Sequence, residues 1–181
     1  RFRGRADLPP PGFALAALGL LCALVGLTAG LFPLNAETES GRLVLQTRLI
    51  YQGFLLLPVL GVGGFIFPGL LGAPNRQDLP APQRPTPAWL GEAAWAALAG
   101  GVIIGSFFLE VLGGVRSGHA LRFAAAGLYL FRQIPLFGQD RLRSTVAHCL
   151  RAGLVLVLAG LLAVAVFPQW RVALLHLTLA S

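Results

Sequence analysis

"GFALAALGLLCALVGLTAGLF", residues 12–32, decides the fold. It carries no charge, and its apolar residues fall on every side of a helical wheel, so it has no polar face to turn to water. A helix that is hydrophobic all round belongs in a large core or in lipid. A bilayer core of about 30 Å takes roughly 20 residues at about 1.5 Å each. Taken as a span over about 12–33, the stretch has that length. "DLPPPG" (7–12) stops any helix ahead of it, because proline has no amide donor.

Working outward, the same reading recurs. A second span covers about 46–71 and contains "LIYQGFLLLPVLGVGGFIFPGLL". A third covers 88–112 and a fourth 119–137, the latter with Arg122 and Arg132 inside it. A fifth covers 147–167, and "RVALLHLTLAS" (171–181) reads as the truncated start of a sixth. No ten-residue alternation of the kind a membrane barrel needs is present. The fold class is therefore all-α, a polytopic transmembrane helix bundle of five spans and the start of another. Each helix satisfies its own backbone, as lipid requires.

Composition agrees. The 181 residues are 56% hydrophobic and 12% charged, about half the charged share of a soluble domain. Mean hydropathy is +0.74. The linkers are short: "PLNAETESGR" (33–42), the Pro-rich 72–87, "GGVRSG" (113–118) as a tight turn, "GQDRLRST" (138–145) and "PQW" (168–170). None leaves room for a soluble domain, so 1–181 is one transmembrane helical domain. Its partners are the lipid bilayer and further spans of the same polypeptide. The chain has no methionine, opens on "RFRGRAD" and ends inside an apolar run, which reads as a piece of a longer protein.

All 14 basic residues are arginine and the net charge is +7. They are scattered between apolar blocks and form no stripe, which argues against nucleic acid. Sorted by span ends, nine (Arg1, 3, 5, 76, 84, 132, 141, 143, 151) share the side of the N-terminus, and five (Arg42, 48, 116, 122, 171) lie opposite. The positive-inside rule then puts the N-terminal side in the cytoplasm. Trp89 and Trp170, at span ends, suit an aromatic belt. Cys22 and Cys149 read as buried, inert thiols.

The chemistry-bearing residues are few. Gly26/Gly30 and Gly101/Gly105 are small-xxx-small pairs and Gly61, Gly63 and Gly64 form a cluster, which suits close helix packing or a flat wall beside a planar cofactor. Pro58 and Pro68 should each kink the second span. Glu110 ends the third span within reach of Arg116 and Arg122, a pair that would hold the hairpin. Arg132 either reaches to the cytoplasmic side or meets an anionic partner such as a cofactor carboxylate. Arg48, Tyr51 and Gln52 share one helical face, which should point inward. Of the histidines, His148 sits among arginines at a span end and reads as interfacial. His119 opens the fourth span, and His176 lies five residues inside an apolar segment. His176 is a satisfied core histidine or a ligand. No nucleophile–base arrangement, metalloprotease motif or phosphate loop occurs.

"LIYQGFLLLPVLGVGGFIFPGLLG" (49–72) with the Pro-rich linker after it, and "FPQWRVALLHLTLAS" (167–181), resemble the interior of the NnrS family. Those are polytopic bacterial membrane proteins associated with haem and copper and with the response to nitric oxide. The resemblance implies the bacterial inner membrane, with His176 as haem or metal ligand and His119, Arg122 and Arg132 near the cofactor. The family's N-terminal histidine motif is absent from this chain. Two other readings stand beside this one: a secondary transporter or permease, with Pro58, Gly61 and Gly63 breaking a helix and Glu110 or Arg132 supplying charge, and a non-catalytic membrane scaffold.

Overall fold

A computed structural model describes residues 8–31, 36–77, 84–134 and 145–170, and every regular element among them is helical. Helix α1 is Phe13–Ala29, α2 is Ala36–Thr47, α3 is Phe54–Leu70, α4 is Pro87–Val111, α5 is Val115–Gln133 and α6 is Thr145–Val166. A π-helical turn, Arg48–Gly53, joins α2 to α3 into one continuous helix, of which Ser40–Leu70 makes up 31 residues. The sixth span, with His176, lies outside the described residues.

Three helices are long and apolar enough to cross a membrane: Ser40–Leu70, Pro87–Val111 and Thr145–Val166. The other two expected spans fall short for different reasons. Helix α1 has 17 residues, stopping at Ala29 with Gly30 as its cap rather than running to 33. Helix α5 is long enough but carries Arg116, Arg122 and Arg132. It also ends at Gln133, not 137. Ile134 precedes Pro135 and is extended (φ −122°, ψ 118°), because the proline ring disfavours a helical residue before it.

Two stretches read as linker are α-helical, and a third, "PQW", is a single 3-10 turn. "AETESGR" forms the first seven of the twelve residues of α2, since alanine and glutamate favour helix and elongation from an existing helix is cheap. "GGVRSG" contributes only Gly113 and Gly114 to the turn, and α5 begins at Val115. Gly113 has φ +89°, a left-handed conformation that a side chain would strain, and Gly114 N donates to Leu109 O (2.8 Å) to close α4. Helix α4 starts on Thr86, whose hydroxyl accepts from Trp89 N, with Pro87 at the first helical position.

The helices alternate in direction. Trp89 Nε1, at the start of α4, donates to Pro9 O (3.0 Å) ahead of α1. Gly12 N donates to Gln77 Oε1 (3.0 Å) just past α3. These share one end of the bundle. Arg42 Nη1 on α2 donates to Ala29 O (2.7 Å) at the other end. Helix α1 packs along α3, α4 along α5, and α5 along α6. The expected close approach at glycine holds for α1 and α3. A Cβ on Gly61 would lie 2.4 Å from Gly12 O, and one on Gly19 would meet the Pro58 ring. Gly101 and Gly105 are different: nothing lies within 4 Å of either, because Gly100, Ile103 and Phe107 form the packed face of α4.

Polarity is arranged inside out. Helix α1 turns Leu20, Leu21, Leu24 and Leu27 outward, each more than half exposed. The buried set holds Arg48, Gln52, Ser106, Glu110, His119 and Arg122. Cys22 is buried as expected, whereas Cys149, near the start of α6, is exposed.

Candidate functional site

Those six polar residues form one cluster. It begins with the π-turn. Pro58 lacks the N–H that would bond to the carbonyl of Phe54, and just before this gap the helix widens, with Phe54 N bonding to Leu49 O five residues back. The widened turn carries Arg48 and Gln52 inward on one face, together with Leu49 and Gly53. Tyr51, expected on that face, is exposed instead. π-turns inside α-helices recur at functional sites.

Helix α4 contributes Ser106 and Glu110, one turn apart. Helix α5 contributes His119 and Arg122, also on one face. Gly118 lets the two helices meet: a Cβ there would lie 2.8 Å from both Glu110 Cγ and Ser106 O. Arg122 stands about 10 Å inside α5, seven residues from its start.

Glu110 holds two arginines with its two oxygens. Arg48 Nε donates to Oε2 (2.7 Å) and Arg122 Nη2 donates to Oε1. Arg122 continues through Nε to Ser106 Oγ (3.1 Å) and through Nη1 to Gln52 Oε1. Its guanidinium lies over the Phe107 ring, 4.6 Å from the centroid. Ser106 Oγ in turn donates to Ile103 O (2.6 Å). His119 Nδ1 stands 3.2 Å from Arg122 Nη1, and its Nε2 stands 3.6 Å from Glu110 Oε2. Arginine only donates, so Nδ1 is the acceptor and Nε2 carries the ring proton, toward Glu110. The Glu110–Arg122 pair follows the sequence reading. Arg116, the other partner considered, is exposed.

Arg132 belongs elsewhere. It lies thirteen residues, or about 20 Å, beyond His119 along α5. There Arg132 Nη2 donates to Glu92 Oε1 (2.8 Å), Gln133 Nε2 donates to Glu92 Oε2 (2.8 Å), and the guanidinium covers the Trp95 ring. The anionic partner of Arg132 is thus a glutamate of this chain. His148 is exposed on α6. A third polar contact ties the same end together: Gln77 Nε2 donates to Tyr129 Oη (3.3 Å).

The structure therefore joins His119 to Arg122 and sets Arg132 apart. The sequence reading missed the meeting of Arg48 with Glu110 and of Gln52 with Arg122, 62 and 70 residues apart, and the roles of Ser106, Glu92 and Gln133. A signal was available: each is a polar residue within or at the end of an otherwise apolar helix, where lipid gives it no partner.

At this cluster the residues do not fit a haem or a copper ion. Both nitrogens of His119 face protein groups, and Arg122 is engaged on four sides. Among the described residues no three of histidine, cysteine, aspartate and glutamate gather as a metal site would require. No family model, curated protein or solved structure matches the chain.

Proposed function

We propose that this chain belongs to an integral protein of the bacterial inner membrane, NnrS-like in kind, working in the response to nitric oxide in association with haem and copper. Its N-terminal side faces the cytoplasm and its five helices all lie within the bilayer. The observation that carries the membrane part is the inverted polarity: arginine, glutamate and histidine are buried while leucines face out. Helix α5 can lie in lipid because Arg122 is paired internally and Arg116 and Arg132 sit at its two ends. The burial of Arg48 and Arg122 also sharpens the orientation argument. Removing them leaves Arg42, Arg116 and Arg171 opposite nine arginines on the N-terminal side.

The haem and copper part is supported by the resemblance and centres on His176. The test is the absorption spectrum of the purified full-length protein. A Soret band is expected, lost or weakened in His176→Ala and kept in His119→Ala, whose ring is closed off. A colourless, metal-free preparation would overturn this part.

A second reading, a secondary transporter or permease, is favoured by one specific feature. The π-turn interrupts a spanning helix at the place where buried charges collect, as in transporters built on discontinuous helices. Solute uptake into proteoliposomes that is abolished by Glu110→Gln would select it over the first.

A further inference from the structure

The π-turn decides which side of a long helix looks inward. On its α3 side, Leu57 and Leu60 lie on the packed face. Arg48 stands nine residues before Leu57, about two and a half turns of a regular α-helix. Continued without the wide turn, α3 would therefore set Arg48 opposite Leu57, and Gln52 about 140° away from it. Ile50, seven residues before Leu57, would fall almost in line with it and face inward. The structure has the reverse arrangement. Arg48 and Gln52 are buried, and Ile50 is half-buried. The wide turn has rotated α2 by about 100°, the angle one residue makes in an α-helix.

Little ties the segment to the wide register. No residue of Arg48–Gly53 is proline, so Phe54 N, which bonds to Leu49 O, can bond to Ile50 O instead. Gln52 carries a cost in this register. Its Oε1 accepts from Arg122 Nη1, and its Nε2 is left buried with no acceptor among the described residues. Arg48 is held through Nε by Glu110 Oε2. If it leaves, Glu110 keeps Arg122 through Oε1, and Arg122 keeps Ser106. Arg48 also has somewhere to go. It lies two residues past Gln46, which meets Gly30 at the end of α1. An arginine on the lipid side at that level reaches the headgroups with its charge while its stem stays in lipid.

We infer that Arg48–Gly53 is a two-state switch. As a π-turn it holds Arg48 on Glu110. As a regular α-helix it turns α2 by about 100°, carries Arg48 and Gln52 to the lipid side, brings Ile50 inward and releases Glu110 Oε2 from Arg48. Two discrete packings exchanged as a whole are the form such devices take, because packed interfaces do not deform continuously. The inference rests on the membrane reading and not on the haem and copper reading.

The test is disulfide cross-linking of the full-length protein in membranes, in a Cys22→Ala, Cys149→Ser background. A Cβ on Gly41 would lie 3.3 Å from Val111 Cγ1, so Gly41→Cys with Val111→Cys reports the π register. Rotation by one residue brings Arg42 to the place of Gly41, so Arg42→Cys with Val111→Cys reports the α register. Leu43→Cys faces Val111 in neither register and measures background. The Gly41 link is expected as the main product and the Arg42 link as a minor one above background. Arg48→Ala gives up the bond to Glu110 and should raise the Arg42 link severalfold. Deleting the exposed Tyr51 leaves Arg48 eight residues before Leu57, so a regular helix then reproduces the observed facing, and the Arg42 link should disappear. An Arg42 link at background both with Arg48 present and in Arg48→Ala would overturn the inference, as would one undiminished by the deletion. Should the deletion fail to fold, the response to Arg48→Ala decides alone. Alkaline carbonate tests the membrane reading separately: release of the chain from membranes would sink that reading, whereas retention with one register sinks the switch alone.

Discussion

Each end of the α4–α5 hairpin sets a glutamate of α4 against an arginine of α5, and the two pairs are made of the same parts in different surroundings. Glu110–Arg122 is roofed by the π-turn of the neighbouring helix, with Arg48 and Gln52 locked onto it, and both side chains are almost wholly buried. Glu92–Arg132 has its own hairpin's Gln133 and Trp95 for company, and Arg132 is 41% exposed. Nothing in the residue types distinguishes them. The difference lies in what a third element lays over each pair, and it should govern how much each contributes.

The largest contrast is expected from neutralising the two glutamates in turn. Glu110→Gln leaves Arg48 and Arg122 buried without their shared counter-charge. Removing one partner of a buried pair costs about 3–5 kcal/mol. Glu92→Gln is expected to cost less than about 1 kcal/mol, as for exposed pairs. Thermal unfolding of both variants in detergent measures the gap, and equal losses would break the comparison.

A smaller effect tests how the buried pair is brought together. Gly118→Ala places a methyl 2.8 Å from the Ser106 carbonyl oxygen, a backbone atom that cannot swing aside. Helices α4 and α5 must part, at a cost of about 1–3 kcal/mol. Gly101→Ala on the open face of α4, with nothing within 4 Å, should leave Tm unchanged. Alanine is the better helix former, so propensity can only raise Tm in either variant, and losses of similar size in both would mean that the close approach at Gly118 is not what the substitution measures.

The two regions also differ in how readily the sequence disclosed them. Long charge-free stretches announce helices, and α4 and α6 fall within two residues of the expected 88–112 and 147–167. Length alone was a poorer guide to what crosses. It overlooked the polar start of α2, where a favourable helix grows from its neighbour, and it carried α5 past Ile134, which Pro135 holds extended. Within the site, the Glu110–Arg122 contact was legible because a short turn can bring only nearby residues together. Arg48 and Gln52 arrive from a different helix, and their facing depends on a π-turn that shifts the register of the whole segment. A wheel drawn at 3.6 residues per turn put Tyr51 inside with them. It is outside, because the wheel does not widen where the chain does.

A modest effect is expected at Arg132, and its value lies in how it responds to salt. Arg132→Gln removes the 2.8 Å bond to Glu92 and the stacking on Trp95. Gln133 still holds the other oxygen of Glu92, so the carboxylate keeps a donor. Partial exposure screens the ion pair, and a cation over an aromatic ring at an exposed site contributes about 0.5–1 kcal/mol. The total loss should therefore stay below about 1.5 kcal/mol. Raising sodium gluconate should shrink it, since salt screens charges that water reaches. The cost of Glu110→Gln should not move with that salt, because its arginines lie out of reach of mobile ions of that bulk. If the Arg132 loss is as large and as indifferent to salt as the Glu110 loss, then depth under a third helix does not separate the two pairs, and the outer pair is being held by something other than its visible neighbours.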